Sequence, residues 1–151
     1  MNGIEQKTNW KAKQFGSYRR AVEAIQRHGI TVNGCFVVGL DGSGPESFDA
    51  VYQFVRESGL FDVQITFMTP FPGTPLYQRL NAEKRILAEG AWEKCTLFDI
   101  NFQPQGMTCA ALETGFKELG RKLYADDFVR ERGKRFARQL RAARRGERLA
   151  A

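Results

Sequence analysis

The sequence predicts an α/β fold in which parallel strands are joined by crossover helices. Two observations carry this. Helical and strand periodicities alternate along the chain, and each stretch between strands is long enough to hold a crossover helix, which makes the pairing parallel. A third observation qualifies it. Three strands are few for a parallel sheet that expects cover on both faces. Two of them would present unpaired edges, which native proteins seldom leave open. The pattern therefore reads as a piece of something larger.

Ser17 to His28 reads as a helix with Tyr18, Ala21, Val22 and Ile25 on one face and Gly29 at its stop. Ile30 to Leu40 (ITVNGCFVVGL) reads as a strand ended by Asp41-Gly42. Ser43-Gly44-Pro45-Glu46 opens the next helix, with Ser43 as the cap and Glu46 reaching back to it. Phe48, Val51, Tyr52 and Val55 form its apolar stripe, and Gly59 marks its end. Asp62 to Thr69 is a second strand. Pro70 to Pro75 (PFPGTP) is a stiff loop in which Pro72 and Pro75 act structurally, and Thr74-Pro75 starts a short helix over Leu76 to Ala82. Ala88 to Lys94 reads as a further turn, with Trp92 in a packing role, and Thr96 to Phe102 (TLFDINF) as a third strand. Thr108 caps a helix carrying Leu112, Phe116, Leu119 and Leu123, and a basic helix runs from about Asp127 to Arg145.

Composition narrows the class. With 42% apolar and 26% charged residues the chain is an ordinary globular protein. No apolar run is long enough to span a membrane, and the polar start MNGIEQKTNWKAKQ has no signal core, so a cytoplasmic location is expected. The net charge of +6 is unevenly spread. From Arg130 to Ala151 nine Lys/Arg face two Asp/Glu, a balance of +7, while Met1 to Val129 holds fourteen against fifteen, a balance of −1. The high pI thus describes an appendage. Cys35, Cys95 and Cys109 lie in three different segments with no CxxC pair, and His28 is the one histidine, placed near a helix C-terminus where it favours the dipole. Zinc-site spacing is absent and the thiols read as structural. No acid–base pair or nucleophile triad is apparent.

Side chains alternate across a strand, so each strand has one apolar and one partly polar face. Asn33, Gln64, Thr66, Asp99 and Asn101 fall on the polar faces, while Val32, Phe36, Val63, Ile65, Phe98 and Ile100 fall on the others. A ligand cavity lined by the polar set would give those groups partners. An open sheet with one wet face fits equally well.

The stretch NWKAKQFGSYRRAVEAIQRHGITVNGCFVVGLDGSGPESF, followed by DVQITFMTPFPGTPLYQRL, resembles the back half of radical S-adenosylmethionine (radical SAM) enzymes, and within them the group with an N-terminal cobalamin-binding domain. Val38-Gly39-Leu40 is a weak signal alone. PFPGTPLY at the right distance after it is specific, and WEKCTLFDINFQP and the Met107-Thr108 helix start also fit. The resemblance spans about Ile4 to Arg132. It implies a partial, half TIM-type barrel over residues 1–106, a helical extension over 107–129 and a basic helical tail over 130–151.

The family reductively cleaves S-adenosylmethionine at a four-iron four-sulfur cluster held by CxxxCxxC, and no such motif occurs in this chain. The resemblance therefore implies a segment that contributes part of the S-adenosylmethionine and substrate cavity and is inactive alone. Its cofactors, S-adenosylmethionine and the cluster, with cobalamin left open, belong to the complete enzyme. Its implied partners are an N-terminal half of the barrel, or a complementing subunit, and a small-molecule substrate. By resemblance Gly34, Val37 and Gly39 flank the adenosyl group, and Met68, Thr69 and Pro70 form the adenine side. Asn33, Asp41, Gln64, Thr66, Asp99 and Asn101 are substrate-pocket candidates, Asp41 because it follows a strand's carboxyl end. The alternative is a non-enzymatic half-barrel module that binds an acidic partner through Arg141, Arg144, Arg145 and their neighbours. Nucleic acid is a less favoured partner because the tail offers only Phe136 for stacking.

Overall fold

The computed structural model describes residues 15–150, with side chains described for 17–146. The polar N-terminal segment 1–14 lies outside the described residues. In chain order the elements are α1 (Phe15–Gln26), β1 (Asn33–Val38), α2 (Glu46–Ser58), β2 (Asp62–Phe67), α3 (Pro75–Ala82), a 3-10 turn (Trp92–Lys94), α4 (Cys109–Leu123) and α5 (Asp126–Ala150). The chain is thus α/β, with a parallel pair of strands and a crossover helix, α2, between them. The register runs from Asn33 opposite Asp62 to Val38 opposite Phe67.

Burial alternates along both strands, and this decides which face is sealed. Val38 on β1 and Val63, Ile65 and Phe67 on β2 are buried. They meet Phe48 and Val55 of α2 and Leu112, Leu119 and Leu123 of α4 in one core. Phe67 packs on Phe116 with ring centroids 4.1 Å apart. Burial of each such side chain contributes roughly 1.5–3 kcal/mol. Gly59 ends α2 in the left-handed region as its C-cap. The carbonyls it leaves open there are taken by Arg135 of α5, whose Nη1 donates to Arg56 O (2.9 Å) and Nη2 to Glu57 O (3.1 Å). Phe136 packs edge-on against Phe61 and Phe128 against Tyr52. These contacts lay one face of α5 along the body.

Thr74 and Thr108 cap as expected, accepting from Tyr77 N and Ala111 N. Four expectations are corrected. Thr96 to Phe102 is not a strand. Thr96 Oγ1 donates to Asp99 Oδ2 and accepts from Phe98 N, and Leu97 has φ +70°, so the backbone bends instead of pleating. Its end, Phe102, forms an isolated antiparallel bridge with Ile86. The buried face of α1 carries Val22 and Gln26, while Tyr18 and Ile25 are exposed. Gln26 is fully buried because its amide donates to Gly59 O (2.8 Å) and accepts from Phe61 N (3.0 Å), pinning the turn before β2. Pro45, not Ser43, precedes the first residue of α2, and the Glu46 carboxylate accepts from Gly44 N. Trp92 is 66% exposed and packs into no core.

Candidate cofactor and substrate face

Because helices seal one side of the β1–β2 pair, the other side stays open. Asn33, Cys35 and Val37 of β1 and Gln64 of β2 are exposed there, with Thr66 on the same side but buried. Register sets them in rows: Cys35 lies opposite Gln64 and Val37 opposite Thr66. The Cys35 thiol donates weakly to Gln64 Oε1 at 4.0 Å. The alternation read from sequence thus brings Asn33, Gln64 and Thr66 onto one face. Cys35 shares that face, Cys95 follows the 3-10 turn and Cys109 begins α4. No group of three or more described His, Cys, Asp and Glu side chains could hold a metal ion. The thiols of this chain therefore do not fit an iron–sulfur cluster.

The other two pocket candidates from alternation lie elsewhere, because the strand expected to carry them is a bent loop. Asp99 accepts from Thr96 within that loop. Asn101 is buried, accepts from Ala88 N (2.9 Å) and donates to Ala88 O (3.0 Å), closing the 85–103 loop on itself.

The candidates for cofactor contact divide by side. Val37 is 48% exposed on the open face. Gly34 points to the sealed face, where a Cβ would come within 2.5 Å of Leu60 Cδ1. Gly39 has φ +82°, and a Cβ there would stand 3.0 Å from Leu112 and 3.1 Å from Phe102. Its lack of a side chain is therefore required by the backbone and by the core. Met68, Thr69 and Pro70 are buried. Met68 N donates to Val38 O, and Thr69 Oγ1 donates to Phe67 O.

At the carboxyl end of β1 the side chain of Asp41 is 10% exposed and accepts from two arginines, Arg79 Nη1 and Arg85 Nη2, each at 2.5 Å. Glu83 joins both guanidinium groups, and Arg85 Nε donates to Gln103 O. Burial pushes the Asp41 carboxyl up, but hydrogen bonds from Arg85 and Arg79 outweigh it and hold the group below the ordinary aspartate range. Hydrogen bonds to Asp41 raise both arginines above their usual value. With both carboxylate oxygens engaged, Asp41 ties β1 to α3 and to the following loop. Sequence reasoning singled out Asp41 but missed Arg79 and Arg85, which lie 38 and 44 residues away. The one signal for the pair was the Arg79–Glu83 spacing of four on a short helix.

A separate cleft of about 320 Å³ runs between α2 and α4, lined by Pro45, Phe48, Gly115 and Lys122 among others. It lies on the helical side, away from the open strand face.

The family described as a domain of unknown function (DUF4070) matches residues 74–150. Bacteriochlorophyllide d C-12(1)-methyltransferase of Chlorobaculum tepidum is 26% identical over 124 residues, covering 82% of this chain and 26% of that protein. An uncharacterized methyltransferase of Pyrococcus horikoshii is 26% identical over 110 residues, covering 73% of this chain and 23% of its own length. The hopanoid C-2 methylase of Rhodopseudomonas palustris is 33% identical over 66 residues, 44% of this chain and 12% of its own. The chain spans about a quarter or less of the curated relatives it matches. It belongs to the DUF4070 family, which forms the C-terminal part of cobalamin-binding radical SAM proteins.

Proposed function

We propose that this chain is the C-terminal segment of a radical SAM methyltransferase and that the open face of β1–β2 is one wall of its S-adenosylmethionine and substrate cavity. The observation that carries the reading is the asymmetry of the strand pair. One face is sealed by α2 and α4, and the other presents Asn33, Cys35, Val37, Gln64 and Thr66 in register. The outer edge of β1 completes the argument, since a preceding strand of a half TIM-type barrel would pair there.

Residues 1–106 then form the barrel portion, 107–129 a helical cover and 130–151 a basic tail. S-adenosylmethionine, a four-iron four-sulfur cluster and cobalamin belong to the assembled enzyme, the cluster being held by the portion that carries CxxxCxxC. Val37 flanks the adenosyl group, and Asn33, Gln64 and Thr66 face a small-molecule substrate that carries a carbon to be methylated. Gly39 and Met68 to Pro70 shape that wall by fixing the backbone beneath it.

The test joins the chain, by coexpression or fusion, to a cluster-bearing N-terminal portion from a relative and measures anaerobic reductive cleavage of S-adenosylmethionine. The joined protein is expected to be active and the separate chain inactive. Val37→Trp, which fills the open face while leaving the core untouched, is expected to lower cleavage at least 10-fold. A Val37→Trp protein with the activity and S-adenosylmethionine affinity of the parent would remove this face from the cavity.

A further inference from the structure

α5 is docked on the body by one face, so its other face is displayed along its length. At about 100° per residue, Arg130, Lys134, Arg138, Arg141, Arg144 and Arg145 fall within an arc of about 120° and along about 22 Å of helix. All six are exposed. No carboxylate of the described residues lies within ion-pair distance of any of them, and from Arg132 to Gly146 the sequence has no Asp or Glu at all. The two arginines outside the arc behave differently. Arg135 caps α2, and Arg132 is buried over the ring of Phe128 at 5.2 Å. The helix thus separates its cations into inward structural groups and an outward, uncompensated ridge.

We infer that this ridge is a docking surface for the anionic headgroups of a lipid bilayer, bound at the surface without insertion. Apart from a bond from Arg141 Nε to Ala137 O within the helix (3.1 Å), the six make no side-chain hydrogen bond or ion pair among the described residues, and the row matches a plane of negative charge in sign and in straightness. Within the arc the other side chain between 130 and 145 is Ala137, small enough to let the arginines approach a flat surface. Phe128 and Phe136 of α5 are turned to Tyr52 and Phe61, and the exposed Val129 lies about 100° before Arg130, outside the arc, so the ridge itself carries no large apolar side chain between 130 and 145.

A nucleic-acid duplex fits less well. The ridge has no Asn, Gln, Ser or Thr to read base edges and no aromatic ring to stack on. Up to Leu140 its helix also lies against the body rather than standing free to enter a groove. The inference does not depend on the methyltransferase reading, since it uses only the charge and placement of α5.

The experiment is cosedimentation of the full chain with phosphatidylcholine vesicles, with and without one-third phosphatidylserine, at low and high salt. Binding is expected to the anionic vesicles alone and to be lost at high salt. The triple change Arg138→Glu, Arg141→Glu, Arg145→Glu is expected to weaken it at least about 20-fold. Its thermal melting is expected to match the parent, because all three positions are exposed. A second variant with Gln at the same positions keeps the comparison valid if the reversed charges disturb the helix. Equal binding to neutral vesicles, undiminished binding by the Gln variant, or displacement from vesicles by a short random DNA duplex at lower concentration than by soluble phosphatidylserine would each overturn the inference.

Discussion

Gly39→Val is expected to destabilise the chain by about 3–5 kcal/mol, enough to leave much of it unfolded against a total of roughly 5–15 kcal/mol. Two costs add. A β-branched residue at φ +82° is strained by about 1–3 kcal/mol. Its side chain must also displace Leu112 and Phe102, both fully buried, which costs a further 1–3 kcal/mol or so as overpacking. Gly39→Ala keeps most of the backbone strain with less crowding and is expected near 2 kcal/mol. Urea unfolding followed by circular dichroism measures both. The result also separates two roles for this glycine. If Gly39 served only to let a ligand approach, Gly39→Ala would leave the midpoint unchanged in the absence of any ligand.

The second large effect belongs to Asp41. Asp41→Ala removes the acceptor shared by Arg79 and Arg85 and is expected to cost about 2–4 kcal/mol. The pH dependence supplies an independent check. Asp41 is held below its ordinary value, about 3.9. The unfolded chain therefore takes up a proton more readily than the folded one. The ion pair's contribution is complete above that ordinary value and is lost as pH falls through the lower folded value. Acid titration of stability is thus expected to show a loss below about pH 4 in the parent that Asp41→Asn lacks. Both proteins losing stability in parallel below pH 4 would place the acid-sensitive group elsewhere.

What could be read from sequence follows the range of the interactions involved. Thr74 and Thr108 bond backbone three residues away, and Gly59 acts on its own helix, so local rules found them. The alternation of NGCFVV and DVQITF was legible because helices cover only one side of both strands. TLFDINF has the same alternation and is a loop. A hydroxyl–carboxylate bond between Thr96 and Asp99 and a left-handed Leu97 override a pattern that favours a strand. Asn101 consequently moved from an expected cavity to a clamp on Ala88. No local signal marks Gln26, since only the fold brings Gly59 and Phe61 to its amide. The same holds for Arg79 and Arg85, whose partner is decided by where α3 and its following loop land. On α5, one-dimensional charge counting located the basic segment but could not divide it into Arg132 and Arg135 facing inward and six cations facing out.

The open strand face is sealed from behind and incomplete in front, and the thiols of this chain do not come together. The most direct measurement is anaerobic reconstitution of the purified chain with iron and sulfide, followed by titration with S-adenosylmethionine. Dependence on a cluster-bearing portion predicts no visible cluster absorbance and no saturable binding from this chain alone, with both appearing once that portion is joined. A stoichiometric cluster that binds S-adenosylmethionine on the isolated chain would require Cys35, Cys95 and Cys109 to converge, and it would contradict the account.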